Sequence, residues 1–388
     1  MKLRKRNIDI EKLILIIFVT CSLMPTLFLL ENQILKPMYL MFVLMLLQMM
    51  RRGRIAFPNY RLCIFWGLAI TISLLASVQW KVERYFFNYC FGFVVVIVFI
   101  SLYQDYSRTD WIGVLQTVWW ICLVCIIINN LKQYDKFIYY FAAGTDHPYI
   151  VTLINGGVNI EATWLAVLSV VFFDNRKRWI PFGLSCGLSI LYKSRAGMII
   201  DAVVFCIFFF GRMPADTRKK IFRRRIWLTI LIIIAAGGIA MTSTQYVLDT
   251  IERFTHIGNE SGSLGRLAMW RYAIPTLVKY PLGVGLGNSI SALETISPLR
   301  YTENNMHCLY MQMFIDLGVI GGTVYLMIWG AFAKRELKNI SKNPLCAVVF
   351  LYGISAFLEF GGGETMFFCA LGIFLNDRRN NKVEKAYV

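Results

Sequence analysis

Charge is scarce in this chain. Asp, Glu, Lys and Arg together make up 16% of its 388 residues, against 57% hydrophobic residues and 15% aromatic ones. A soluble domain of this length could not hide so much apolar surface, so that class is excluded. Histidine is scarcer still, with three in the whole sequence: His147, His256 and His307. They show no ligand spacing, which argues against a histidine metal site. No Asp-x-Asp pair occurs, so the usual means of holding a metal on a nucleotide-sugar diphosphate is missing. Period-2 alternation of apolar and polar residues is also absent, which excludes an outer-membrane barrel. Neither a low-complexity segment nor a convincing internal repeat is visible, and no soluble domain is expected at either end.

What is present in quantity is long apolar sequence. Windows of about 20 residues recur, each near the thickness of a bilayer core. Twelve candidate spans are predicted, at 13–30, 35–50, 61–80, 85–103, 111–129, 161–174, 179–192, 196–211, 226–242, 307–332, 344–360 and 365–376. The fold class expected is therefore all-α, a polytopic membrane protein forming one membrane domain over 1–388. The opening MKLRKR and the apolar run after it are read as a retained first helix, because no small-residue cleavage site follows. The ten cysteines fall nearly all inside apolar windows, and the Cys122-x-x-Cys125 pair lies in a span, so packing is the expected role rather than redox chemistry.

The net charge of +17 comes in short blocks between spans, among them RRGR (51–54), NRKR (175–178) and RKKIFRRR (218–225). That is the pattern of topology signals and of contact with anionic lipid, not of nucleic-acid binding. Most of the 40 Lys and Arg fall in alternate connections, which puts both termini in the cytoplasm and makes 212–225 a basic cytoplasmic loop. Two outer loops exceed a turn, at 130–160 and 243–306. Long loops in a compact membrane protein usually carry function, so the outer face is where chemistry is expected.

The larger loop reads SGSLGRLAMWRYAIPTLVKYPLGVGLGNSI (261–290). On a helical wheel Leu267, Trp270, Ile274, Leu277 and Val278 form one apolar face, with Arg266 and Arg271 on its two edges. This is the pattern of a helix lying in the membrane interface, although Pro275 allows two short turns instead. Arginine there sits level with lipid phosphates, and its planar paired donors match phosphate oxygens. The glycines of PLGVGLGN (281–288) are too irregular for a dinucleotide fingerprint, and a tight turn with close backbone approach is the better reading. KSRAGMIID (193–201) places Arg195 at an outer helix mouth. NNMHCLYMQ (304–312) places His307, which can take and give a proton near neutral pH, where a polar segment enters a span. Asp201, Asp316, Glu359 and Glu364 lie in or near spans and are suspects on that ground. Glu161, opening a span after NGGVNI, is another outer-face candidate.

The order of these pieces resembles the O-antigen ligase and Wzy-type polysaccharide polymerase superfamily, which includes O-antigen and capsular polysaccharide polymerases. SRAG is followed by a basic inner loop, a span, G-R-x-x-x-W, P-L-G-V-G-x-G-N, a histidine with L-Y-x-Q, and D-L-G-V-I-G-G. The likeness is clearest from Asn155 to Trp329. It implies a GT-C-like, metal-independent glycosyltransferase of the bacterial inner membrane, with its active site on the outer face and no cofactor. The donor implied is an undecaprenyl-diphosphate-linked oligosaccharide. Carried onto this sequence, Arg195 and Arg266 hold the diphosphate, and His307 activates the acceptor hydroxyl. Arg271, Trp270, Asn288, Asn305, Tyr310 and Glu161 are the candidate substrate contacts. The family often has Asn after the histidine, where this chain has Cys308. Membrane lipid, a flippase and chain-length regulator proteins are the implied partners, and nucleic acid is not. A polymerase is the first expectation and a ligase that moves finished glycan to another acceptor is the second. A lipid-linked sugar flippase or transporter using Asp201, Asp316 or Glu359 is the expectation from another class.

Overall fold

Helix boundaries follow the punctuation of the sequence. In the computed structural model, which describes residues 2–25, 36–143, 150–154, 156–173, 178–210, 261–301, 305–357, 359 and 362–386, α1 covers Lys2–Leu23 and α2 covers Pro37–Arg52. Pro37 starts α2, where its missing N–H costs nothing, and Gly53 ends it in the left-handed conformation. α3 (Tyr60–Ala76) is capped by the side chain of Asn59, which accepts from Arg61 N at 3.2 Å. α4 is Arg84–Leu102. α5 (Arg108–Lys132) opens on a capping box between Ser107 and Asp110. Then come α6 (Tyr134–Ala143), α7 (Gly157–Ser169, extended by a 3-10 turn), α8 (Trp179–Leu191) and α9 (Arg195–Phe210). α10 (Ser261–Lys279), α11 (Ser289–Leu293), α12 (Leu309–Glu336), α13 (Pro344–Ser355) and α14 (Thr365–Ala386) complete the described helices.

No strand occurs among the described residues. α4, α5 and the segment 309–339 are each long and apolar enough to cross a bilayer, and α3, α7, α8 and α13 are shorter apolar helices. Large apolar side chains face outward along them, Leu75 at 71% exposure being one, as lipid-facing surfaces require. The protein is therefore a helical membrane protein. The expected span 226–242, the basic loop 212–225 and residues 243–260 of the large loop lie outside the described residues. The first half of the 130–160 loop is helical, the end of α5 and α6, and Pro275 lies inside one continuous α10 instead of dividing it.

α14 packs along α4, α7 against α8 and α9, α1 against α2 and α5, and α12 against α3 and α10. The α4–α14 approach is close because glycines line both sides. A Cβ on Gly92 would run into the Phe368 ring, and one on Gly372 would sit 2.8 Å from Phe99. Buried aromatic rings, Trp111, Trp119, Trp164, Tyr103 and Phe99 among them, fill the centre.

The two ends of the bundle differ. Where α1 begins, ion pairs tie neighbouring helices: Arg52 to Glu11 at 2.7 Å, Arg108 to Asp377 at 3.0 Å, and Arg378 to Glu336. At the opposite end, where α1 finishes, the starts of α7, α9 and α12 meet the segment after α13.

Candidate active site

The site rests on a lock between two glycine motifs. The helical path of α12 breaks at Gly318, whose φ of 67° suits glycine alone. A break frees helical N–H and C=O groups, which must find other partners. PLGVG supplies them. Val284 N donates to Ile315 O at 3.2 Å, Gly285 N to Asp316 O at 2.8 Å, and Val319 N to Pro281 O at 2.9 Å. The backbones touch so closely that a Cβ on Gly283 would lie 2.5 Å from Gly318 N. The Asp316 carboxylate, fully buried, accepts from Gly287 N at 3.0 Å and Ser289 N at 2.9 Å, so it closes the loop and starts α11. Asp316 is thus a structural acid.

Above this lock lies α10. Met269, Ala273 and Thr276 repeat at helical spacing and form its buried face, joining Val284, Leu293, Met306 and Ile315 in a small second core. Ile274 and Val278, at 70% and 76% exposure, face outward with Leu267, as an interfacial helix requires. Trp270 is turned inward. Its Nε1 donates to Met306 O at 3.1 Å and pins α10 to the residue before His307.

His307 stands at φ 51°, in the left-handed region that a non-glycine residue enters only at some cost. The strain is held from both sides. Asn305 Oδ1 accepts from His307 N at 2.9 Å, and Leu309 N donates to Ala356 O at 2.8 Å. Cys308 is the residue before α12, in the cap position, and is buried. Burial pushes its thiol up, and the backbone N–H groups of Met311 and Tyr310 pull it back. The departure from the family pattern thus falls on a helix cap, where Asn is the stronger acceptor.

The SRAG element is built in the same manner. Lys193, at φ 47°, turns the chain between α8 and α9. Ser194 Oγ then accepts from Gly197 N at 3.1 Å and caps α9. Gly197 lies where a Cβ would sit 2.7 Å from Ser189 Oγ and 3.0 Å from Ala162. Serine and glycine therefore fix the helix start against its neighbours, and Arg195 is the first helical residue.

Glu359 brings these pieces together. It lies in the connection between α13 and α14, buried at the outer edge of the bundle core. Arg266 Nη2 donates to its Oε1 at 3.3 Å. Burial pushes the Glu359 carboxyl up, and the charges of Arg266, His307 and Arg195 pull it back down. Three groups more than a hundred residues apart at their extremes thus act on one carboxylate. Sequence reasoning marked Glu359 only as an intramembrane acid. Its place at the end of a span on the same face as His307 was the signal that could have joined it to the others.

The remaining candidates divide. Arg271 is exposed on α10, one position past Trp270. Tyr310 donates to Gly353 O at 2.8 Å and stacks on Phe357 at 4.2 Å, so it holds the segment that carries Glu359. Asn288 and Glu161, expected as substrate contacts, are held by the protein's own groups. Asn288 Nδ2 donates to Lys81 O at 2.9 Å and Val284 O at 3.0 Å. Glu161, wholly buried, accepts from Leu153 N at 2.8 Å, Ile154 N at 3.0 Å and the Tyr192 hydroxyl at 2.7 Å. Both are occupied by backbone that a short polar side chain had to satisfy.

Compared with known proteins, residues 180–326 match the Wzy_C family model, described as O-antigen ligase. The matched segment contains Arg195, Arg266, Arg271 and His307, together with both glycine motifs, and ends before Glu359. No curated protein matches the chain. The likeness to the O-antigen ligase family is thus confined to residues 180–326 of the chain.

Proposed function

We propose that this protein is a polysaccharide polymerase, which transfers a growing glycan from undecaprenyl diphosphate to the next lipid-linked repeat unit on the outer face of the bacterial inner membrane. The observation that carries the reading is the convergence of Arg195, Arg266 and His307 on Glu359 at one end of a membrane helix bundle.

The chemistry runs as follows. The acceptor hydroxyl gives its proton to the His307 imidazole while its oxygen attacks the anomeric carbon of the donor sugar. The bond from that carbon to the phosphate oxygen breaks, and undecaprenyl diphosphate leaves with the bonding pair. Arg195 and Arg266 stabilise the negative charge that develops on the leaving phosphate, so the protein's own cations do this work. Direct attack from the opposite face inverts the anomeric centre. In this reading the exposed apolar side of α10 sets Arg266 at the depth of lipid phosphates, where the isoprenoid tail of the donor stays in lipid and its sugars reach water.

Ligase activity, with finished glycan passed to another acceptor, is the second reading, favoured by the description of the matched family. The product separates the two. Cells lacking a polymerase accumulate single lipid-linked repeat units, and cells lacking a ligase accumulate full-length lipid-linked chains. For the site itself, purified protein in lipid vesicles is given diphosphate-linked donor and acceptor. Chain growth is expected to vanish in His307→Ala and Arg266→Ala. Wild-type growth in both would overturn the assignment.

A further inference from the structure

Beside the candidate active site lies a cavity of about 230 Å³. Asn305 forms part of both, since its side chain accepts from His307 N and also lines this cavity. Other polar groups on the wall include Lys36, Arg84, Tyr85, Asn88 and Glu364. The volume suits one sugar residue.

Two features make this cavity attractive to an anion. The first is the set of helix starts around it. Lys36 precedes α2, Arg84 opens α4, Gly156 precedes α7, and Thr365 opens α14, and all four residues line the wall. The starts of α2, α4 and α7 have no side-chain cap. At the other end of the bundle α3, α5 and α13 are capped by Asn59, Ser107 and Asn343. Uncapped starts present backbone N–H donors and the positive ends of helix dipoles. The second feature is the pair of cations. Burial, with the nearby charge of Arg84, holds the Lys36 ammonium below its usual range. Two like charges held near each other favour an anion between them. Glu364 partly offsets them, and one of its oxygens accepts from the Tyr352 hydroxyl at 2.7 Å.

We propose that this cavity is a subsite for an acidic residue of the acceptor glycan, a sugar bearing a carboxylate or phosphate group, bound by Lys36, Arg84 and the helix starts of α2, α4 and α7. Asn88 offers hydrogen bonds to its hydroxyl groups, beside Tyr85 and Asn305, which are hydrogen-bonded to each other. Because Asn305 also sets the His307 backbone, a sugar seated here lies next to the base. The word acceptor rests on the polymerase reading; the anion preference does not.

The test needs no turnover and can be run on the full-length His307→Ala protein as well as on wild type. Protein in detergent micelles is treated with an amine acetylating reagent, and modification of Lys36 is followed by peptide mass spectrometry. Methyl glucuronide, glucose 6-phosphate and neutral methyl glucoside are compared, with exposed Lys132 as the internal reference. An acidic sugar present at about three times its Kd is expected to slow Lys36 modification about fourfold, with Lys132 unchanged. Protection by the glucuronide alone assigns a carboxylate sugar, and protection by the sugar phosphate alone assigns a phosphate-bearing one. Arg84→Gln, a change at an exposed side chain, is expected to remove the protection. Equal protection by the neutral glucoside, no protection by any ligand, or full protection in Arg84→Gln would overturn the proposal. Loss of chain growth in the catalytic variants with protection intact would leave both readings standing. Protection without any glycosyl transfer in wild type would sink only the polymerase reading.

Discussion

Arg266 has two possible reasons to exist, and one pair of substitutions tells them apart. It could be a counter-ion for Glu359, or it could be a diphosphate ligand that Glu359 holds in readiness. At 3.3 Å and an effective dielectric of about 20, the gross attraction of the pair is about 5 kcal/mol. Desolvation offsets most of this. The Arg266 side chain keeps 28% of its exposure and remains partly hydrated, while that of Glu359 keeps 6%. Removing Arg266 therefore strands a buried carboxylate, and Arg266→Gln is expected to cost about 2 kcal/mol of stability, below the figure for a fully buried pair. Glu359→Gln leaves an arginine that water can reach and costs less, about 1 kcal/mol. In the double variant no charge is stranded, so the total should fall short of the sum. Activity is expected to behave otherwise. Loss of a donor to the leaving phosphate lowers turnover about 10²- to 10³-fold, and the double variant should stay that low. Thermal unfolding in detergent gives the first quantity and chain growth in vesicles the second. Recovery of chain growth in the double variant would show that Arg266 serves only Glu359, and the diphosphate assignment would fail.

Other perturbations test the frame around the site. Cys308→Asn improves the cap of α12 and is expected to raise stability by about 0.5–1 kcal/mol with chain growth within a few-fold of wild type; a tenfold change in rate would place position 308 against substrate. His307→Gly removes the strain at φ 51° and should gain about 1 kcal/mol in thermal stability while abolishing chain growth, whereas a loss of stability would mean that the imidazole is a packing group. Gly318→Ala drives a Cβ into the Leu282 and Pro281 backbone and should destabilise by about 3 kcal/mol or more, while Gly113→Ala, which meets nothing within 4 Å, should be nearly neutral in the same melting assay.

The sequence made the helices legible because their ends carry caps, prolines and glycines, and because apolar windows have few alternative uses. It made the arginines and the histidine legible through residue type at a helix mouth or loop end. The partners of Asn288 and Glu161 were not legible because a polar residue at a helix end looks alike in sequence whether it meets a sugar or a backbone group. Only coordinates show that Lys81 and Val284 carbonyls occupy the one, and that Leu153, Ile154 and Tyr192 occupy the other. Glu359 was left among several acids for a related reason. Its partners are 93, 52 and 164 residues away in sequence, and no local pattern links an acid after α13 to Arg266, His307 and Arg195. PLGVGLGN and DLGVIGG were each readable as a turn and a span, but their mutual fit depends on one glycine breaking a helix at the height of another turn.

The fate of the acids bears on the transport alternative. A flippase or coupled transporter needs carboxylates that change partners near the middle of the membrane. Asp201 accepts from Ser185 at 2.9 Å and Ser189 at 2.7 Å, both on the adjoining helix, and is buried between α8 and α9. Asp316 accepts from two backbone N–H groups that hold the loop before α11, and releasing them would unlock the fold of the site itself. Glu161 is engaged by two more backbone N–H groups and by Tyr192. Each of the three is thus tied to structure that a transport cycle would have to dismantle. Of these four acids Glu359 is the one paired with an arginine, Arg266 at 3.3 Å, and a cation at that place favours an anionic ligand. A site that gathers arginine and histidine around one carboxylate fits the arrival and departure of a phosphate-linked substrate better than the passage of a proton or a cation.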